Sequence, residues 1–105
     1  MFNQLMRRKE LPATAAPLRI RQARPADAAA LERLAALDSS QVPVGDVLLA
    51  EVGDELWAAL SLDDGRHVAD PLRPSANAVL MLVQRGRQLR VAERRIRGHF
   101  RPRLV

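Results

Sequence analysis

Two apolar segments joined by a glycine-containing pair constrain the fold of this chain more than any other feature. The segments are residues 47–52 and 55–62, and Gly53-Asp54 lies between them. A two-residue connection that begins with glycine is typical of a type II′ turn, because the first central position of that turn requires a positive φ angle. The pattern therefore predicts an antiparallel hairpin in which Gly53 has positive φ.

Patterns on either side of the hairpin extend it into a small domain. Residues 18–23 alternate apolar and polar side chains, which predicts a strand, and residues 28–37 carry an apolar stripe at helical spacing. We expect the Asp27 carboxylate to accept hydrogen bonds at the start of that helix. Residues 67–70 predict another short strand, which Pro71 ends. The predicted fold class is α/β (α+β), an antiparallel strand meander with one helix after the first strand and a C-terminal helix.

The segment after Pro74 allows two interpretations. Its apolar residues fall at helical spacing, which predicts a helix from Ala76 to about Arg90 or beyond, with Ser75 as a possible cap. Residues 78–83 could instead form a buried strand, because periodicity alone does not assign short apolar runs. The abundance of alanine, leucine, methionine, glutamine and arginine favours the helix.

Length and composition favour one domain in a reducing compartment. The chain has 105 residues, of which 48% are hydrophobic, and it contains no cysteine, which excludes a disulfide framework or a thiolate metal site. Its longest apolar run is far shorter than the ~20 residues of a membrane-spanning helix, so we expect a cytoplasmic protein without membrane insertion. The expected divisions are a flexible lead-in at 1–17, the α/β domain at 18–90, and a basic C-terminal helix extension and tail at 91–105.

Basic residues concentrate in the C-terminal segment. The chain has a net charge of +5, and eight arginines but one acidic residue lie between Arg85 and Arg103. A helix would align several of these arginines in a cationic ridge, which is either a solvated face or a contact for an acidic protein, nucleic-acid phosphates or an anionic surface. The ridge consists of Arg87, Arg90, Arg94, Arg97 and Arg101.

The turn Arg24-Pro25-Ala26-Asp27 and the hairpin over residues 48–60 resemble the opening of the GNAT superfamily of N-acetyltransferases. The resemblance covers about residues 18–70 and implies a half-GNAT-like fold. In that family a Gln/Arg-x-x-Gly-x-Gly/Ala loop after the fourth strand holds the pyrophosphate of acetyl-CoA on backbone N–H groups. Residues 71–77 contain two prolines and no glycine, so we expect no cofactor here.

No catalytic or metal-binding group stands out in the sequence. His67 and His99 have no second ligand at metal-binding spacing, and Trp57 is either a core residue or an interface anchor. The favoured function is a non-catalytic binding or assembly module, either a homodimer or a subunit of a larger complex, because an uncovered sheet edge invites pairing. One alternative is an acyl-CoA-dependent N-acetyltransferase that a second chain completes. A further alternative is an electrostatic nucleic-acid binder.

Overall fold

The fold is an antiparallel four-stranded sheet with one helix on each face. A computed structural model describes residues 16–100 and the side chains of residues 16–95. The strands follow one another as a meander in the order β1-β2-β3-β4, which confirms the predicted fold class. The elements are β1 (Leu18–Gln22), α1 (Ala28–Leu37), β2 (Val47–Val52), β3 (Glu55–Ser61), β4 (His67–Ala69) and α2 (Ala76–Phe100), with a 3-10 turn at Pro25–Asp27 before α1.

The predicted hairpin joins β2 to β3. Gly53 has a φ angle of +63°, as the turn assignment requires. Residues 47–50 of β2 are buried one after another. This pattern arises because helices cover both faces of the sheet, whereas one covered face would leave alternate residues exposed.

Each helix encloses its own hydrophobic cluster against the sheet. Helix α1 packs over one face and helix α2 over the other, and successive residues of β2 contribute to the two clusters in turn. The α1 cluster consists of Leu31, Leu34, Val47, Leu49, Ala59 and Val68. The α2 cluster consists of Leu48, Ala50, Ala58, Leu60, Ala78 and Leu82.

A β-bulge interrupts the pairing of β2 with β3. Ala50 pairs with Ala58, but Glu51 pairs with Leu56, so Trp57 is an extra residue on β3. The Trp57 side chain is half-buried and lies outside both hydrophobic clusters. Of the two roles that the sequence left open for Trp57, membership of a core cluster is therefore not observed, because the bulge changes the alternation of β3 at this residue.

Helix α2 includes residues 78–83, which confirms the helical interpretation of that segment. Gly86 allows α2 to lie close to the sheet, because a Cβ atom at that position would be 3.1 Å from Leu60 Cδ2. The helix then continues to Phe100 without a break at the expected boundary between Arg90 and Val91. The proposed lead-in at 1–17 lies almost entirely outside the described residues.

The two edge strands of the sheet are β1 and β4. On β4, the Ala69 N–H donates to Asp38 Oδ2 at 3.1 Å, so the loop after α1 already occupies this edge position. The strand is only three residues long. Short, capped edges discourage pairing with another chain, so the open-edge argument for self-association does not apply to β4.

Candidate interaction site

Helix α2 carries three described members of the predicted cationic ridge. Arg87, Arg90 and Arg94 are exposed, and Arg97 lies within the helix, although its side chain is outside the described part. Arg101 lies outside the described residues. Arg90 differs from the other arginines because its Nη2 donates to the Leu62 carbonyl at 3.1 Å. This hydrogen bond gives Arg90 a role in attaching α2 to the end of β3.

The buried part of α2 ends at its middle, as far as the structure describes the side chains. Gly86 is the last buried residue of the helix up to residue 95. Beyond it, Leu89 is 41% exposed and Val91 is 46% exposed, even though both are apolar. We call residues 87–100 the helix extension, which spans about 20 Å at 1.5 Å per residue.

A groove of about 350 Å³ lies on the opposite face of the sheet, beside α1. The hairpin turn and the segment after β4 form its walls, and leucines from α1, β2 and β3 form its apolar part. Five carboxylates but only three guanidinium groups line it, so we call it the acidic groove. The charged residues are Asp27, Glu51, Asp54, Glu55 and Asp70 with Arg21, Arg33 and Arg73.

Arg21 organises one end of the acidic groove. Its guanidinium donates to both Asp27 oxygens at 2.9 and 2.7 Å and to both Glu51 oxygens at 3.0 and 3.1 Å. The Arg21 side chain is 24% exposed, against 14% for Asp27 and 19% for Glu51. The arrangement joins β1, β2 and the turn before α1 through charge-assisted hydrogen bonds, which are stronger than neutral ones.

The same contacts shift the pKa values of Arg21 and Asp27. The Arg21 hydrogen bonds, followed by the Arg24 N–H, hold the pKa of Asp27 well below its usual range. The two carboxylates raise the pKa of Arg21, with Asp27 as the larger cause. The sequence had suggested that the Asp27 side chain accepts hydrogen bonds at the start of α1. It accepts instead from Arg21 and from the Arg24 N–H of the preceding turn, and it makes no cap hydrogen bond to α1.

The remaining carboxylates of the acidic groove differ in how they are paired. Glu55 forms an ion pair with Arg73 and accepts from Trp57 Nε1. Asp70 Oδ1 accepts from the Leu72 N–H at 2.8 Å, but Asp70 has no cationic partner among residues 16–95. Asp54 likewise has no ion pair within that range. The groove therefore has unneutralised carboxylates at its hairpin side.

The loop between β4 and α2 uses its backbone donors internally. Leu72 N–H donates to Asp70 Oδ1, Arg73 N–H to the Asp70 carbonyl, and Ser75 N–H to the Arg73 carbonyl. The Ser75 hydroxyl also donates to the Asp70 carbonyl at 2.9 Å. Prolines occupy the other two positions of the loop and have no N–H to donate. These five residues therefore offer no free backbone donor to a pyrophosphate.

Sequence reasoning identified the ridge and Trp57 but missed the acidic groove. The alternation of residues 18–23 indicated one residue of this groove, because it places Arg21 on the face opposite Leu18 and Ile20. Within the residues described, no three histidine, cysteine or acidic side chains are arranged to hold a metal ion. In the same range, no helix combines the length and apolar content needed to cross a membrane.

Comparison with known proteins adds no relative: no family model, curated protein or solved structure matches the chain. The GNAT resemblance therefore rests on the residues that suggested it. The features of the structure that suggest an interaction are the helix extension, the acidic groove and the half-buried Trp57.

Proposed function

We propose that this chain is a non-catalytic assembly module that forms a homodimer through its helix extension. The observation that carries the proposal is the exposure of α2 beyond Gly86, where the apolar side chains of Leu89 and Val91 are 41% and 46% exposed. Helices in proteins gain most of their stability from packing an apolar face, and the exposed apolar residues of the extension lack such packing in the single chain. A second copy would supply that packing.

The acetyl-CoA alternative has weaker support. A cofactor pyrophosphate needs backbone N–H groups that are free to bind it, and the loop before α2 uses its own within the loop. The GNAT resemblance in this proposal is one of fold, over the sheet and the first helix, since related folds carry unrelated functions. The exposed arginines favour nucleic-acid binding, but Trp57 is the only phenylalanine, tyrosine or tryptophan among residues 16–95 that could stack on a base.

Sedimentation equilibrium tests the proposal. The full chain should have a mass of twice 11.7 kDa at tens of micromolar. A variant that ends at Arg90 should stay folded by circular dichroism, because it keeps all the α2 residues that are buried within the range 76–95 and the Arg90 hydrogen bond to Leu62. It should sediment as a monomer. A full chain that is strictly monomeric at these concentrations would contradict the homodimer.

A further inference from the structure

The helix extension and the acidic groove have opposite charge and lie at opposite ends of one subunit. Asp54, at the groove, immediately precedes β3, whereas the Arg90 hydrogen bond reaches Leu62, immediately after β3. The seven residues of β3 lie between these points, which are therefore about 26 Å apart at 3.3 Å per residue. Helix α2 starts beside the groove and runs away from it, on the other face of the sheet. The extension therefore points away from the groove of its own chain.

We propose that the helix extension of one copy binds in the acidic groove of a second copy, and that a two-fold axis makes the contact reciprocal. This inference rests on the proposed function, because it requires the homodimer and assigns its interface. The groove has an apolar part for Leu89 and Val91 as well as carboxylates for the arginines. Amphipathic helices commonly bind partner grooves through such a combination of apolar anchors and charges.

The helix extension and the acidic groove each carry charged side chains that have no ionic partner within the described part of their own chain. Arg87, Arg94 and Arg95 form no hydrogen bond or ion pair with another described residue, whereas Arg90 is bonded to its own chain. Across the interface, Asp54 and Asp70 lack a cationic partner in the described part of the subunit. A guanidinium can bind a carboxylate through two parallel hydrogen bonds, which gives direction as well as attraction.

Two-fold symmetry follows from the need to close the assembly. Each chain carries one extension and one acidic groove, so a one-sided contact would leave both a free extension and a free groove. Such a contact would add further copies and form filaments. A reciprocal contact uses both extensions and both grooves in a dimer. With this interface, the assembly should remain a dimer and should not add further copies as the protein concentration rises.

A charge exchange between Asp54 and Arg94 tests the contact. Asp54 is exposed and its side chain forms no ion pair within residues 16–95. Asp54→Arg should therefore leave the fold intact, which circular dichroism and thermal melting check. Asp54→Arg and Arg94→Glu should each weaken the homodimer at least ten-fold by sedimentation equilibrium. An equimolar mixture should form a heterodimer, because it contains one native contact and one with both charges exchanged. Glu32→Arg is the matched control, since it makes the same charge change on α1 outside the groove.

The outcomes separate this inference from the proposed function. A wild-type dimer that Asp54→Arg leaves unchanged would overturn docking in the groove and leave the homodimer in place. A monomeric wild type would overturn both. If Glu32→Arg weakens the dimer as much as Asp54→Arg does, the cause is the net charge of the chain and not a contact in the groove. That result would overturn the specific site. Masses that rise beyond the dimer with concentration would overturn the reciprocal arrangement.

Discussion

Replacement of Arg21 by methionine tests how the acidic groove is stabilised. Methionine keeps much of the aliphatic stem but removes the guanidinium that bonds Asp27 and Glu51 at 2.7–3.1 Å. Breaking a fully buried charge pair costs about 3–5 kcal/mol, and hydrogen bonds to charged groups contribute about 1.5–3 kcal/mol each. These side chains retain some contact with water. We therefore expect Arg21→Met to lower the free energy of unfolding by about 2 kcal/mol at pH 7.

The pH dependence of that loss has a definite sign. In the wild type the pKa of Asp27 is lower in the folded state than in the unfolded chain, so its contribution is complete above the ordinary carboxyl range and is lost as the pH falls below about 4. The variant lacks the guanidinium that lowers the pKa of Asp27, so it has less of this contribution to lose. The difference in stability between wild type and variant should therefore shrink as the pH falls below about 4.

Urea unfolding followed by the fluorescence of Trp57, the single tryptophan, measures this difference at pH 7, 4 and 3. All samples should have the same protein concentration, because dimerisation links stability to concentration. Arg19→Met is the matched control, since Arg19 lies on the same strand, is exposed and forms no described ion pair. A loss below about 0.5 kcal/mol at pH 7, or a loss that does not change with pH, would refute the reasoning.

Three further changes test the fold and the cofactor alternative. Gly86→Leu should cost about 1–3 kcal/mol in urea unfolding, because Leu60 and Leu62 side-chain atoms already lie 3.1 and 3.3 Å from the Cβ position. Gly86→Ala should cost less, since the better helix propensity of alanine offsets the contact by about 1 kcal/mol; equal losses would contradict this packing. Gly53→Val should cost at least about 1 kcal/mol from backbone conformation alone, because φ is +63° and no atom lies within 4 Å of the Cβ position. Unchanged unfolding would refute the turn. Millimolar CoA should not shift the melting temperature, whereas a ligand at a hundred times its Kd would add about 2.7 kcal/mol, which would favour the acetyltransferase alternative.

The regular elements were predictable because local patterns determine them. The glycine at position 53 specifies the turn, and the apolar spacing of residues 28–37 specifies α1 with the bounds observed. The composition of residues 78–83 correctly favoured helix over strand. In each case the information lies within a few neighbouring residues.

The bulge at Trp57 and the Arg21 contacts depend on pairing between distant segments. The bulge is a mismatch of one residue between β2 and β3, and the apolar run of β3 looks the same with or without it. Arg21 and Glu51 are 30 positions apart in sequence, and their contact requires the register that pairs β1 with β2. Charge patterns along the sequence therefore revealed the arginines on one helix but not the groove that strands, a helix and loops build together.

Amide hydrogen exchange along α2, at protein concentrations well below and well above the dimer Kd, tests most directly whether a second chain covers the helix extension. We predict that residues 89–100 exchange rapidly in dilute samples and become protected as the dimer forms. Residues 78–86, which pack on the sheet of their own chain, should be protected at both concentrations. Exchange of residues 89–100 that is rapid and independent of concentration would contradict the proposed assembly.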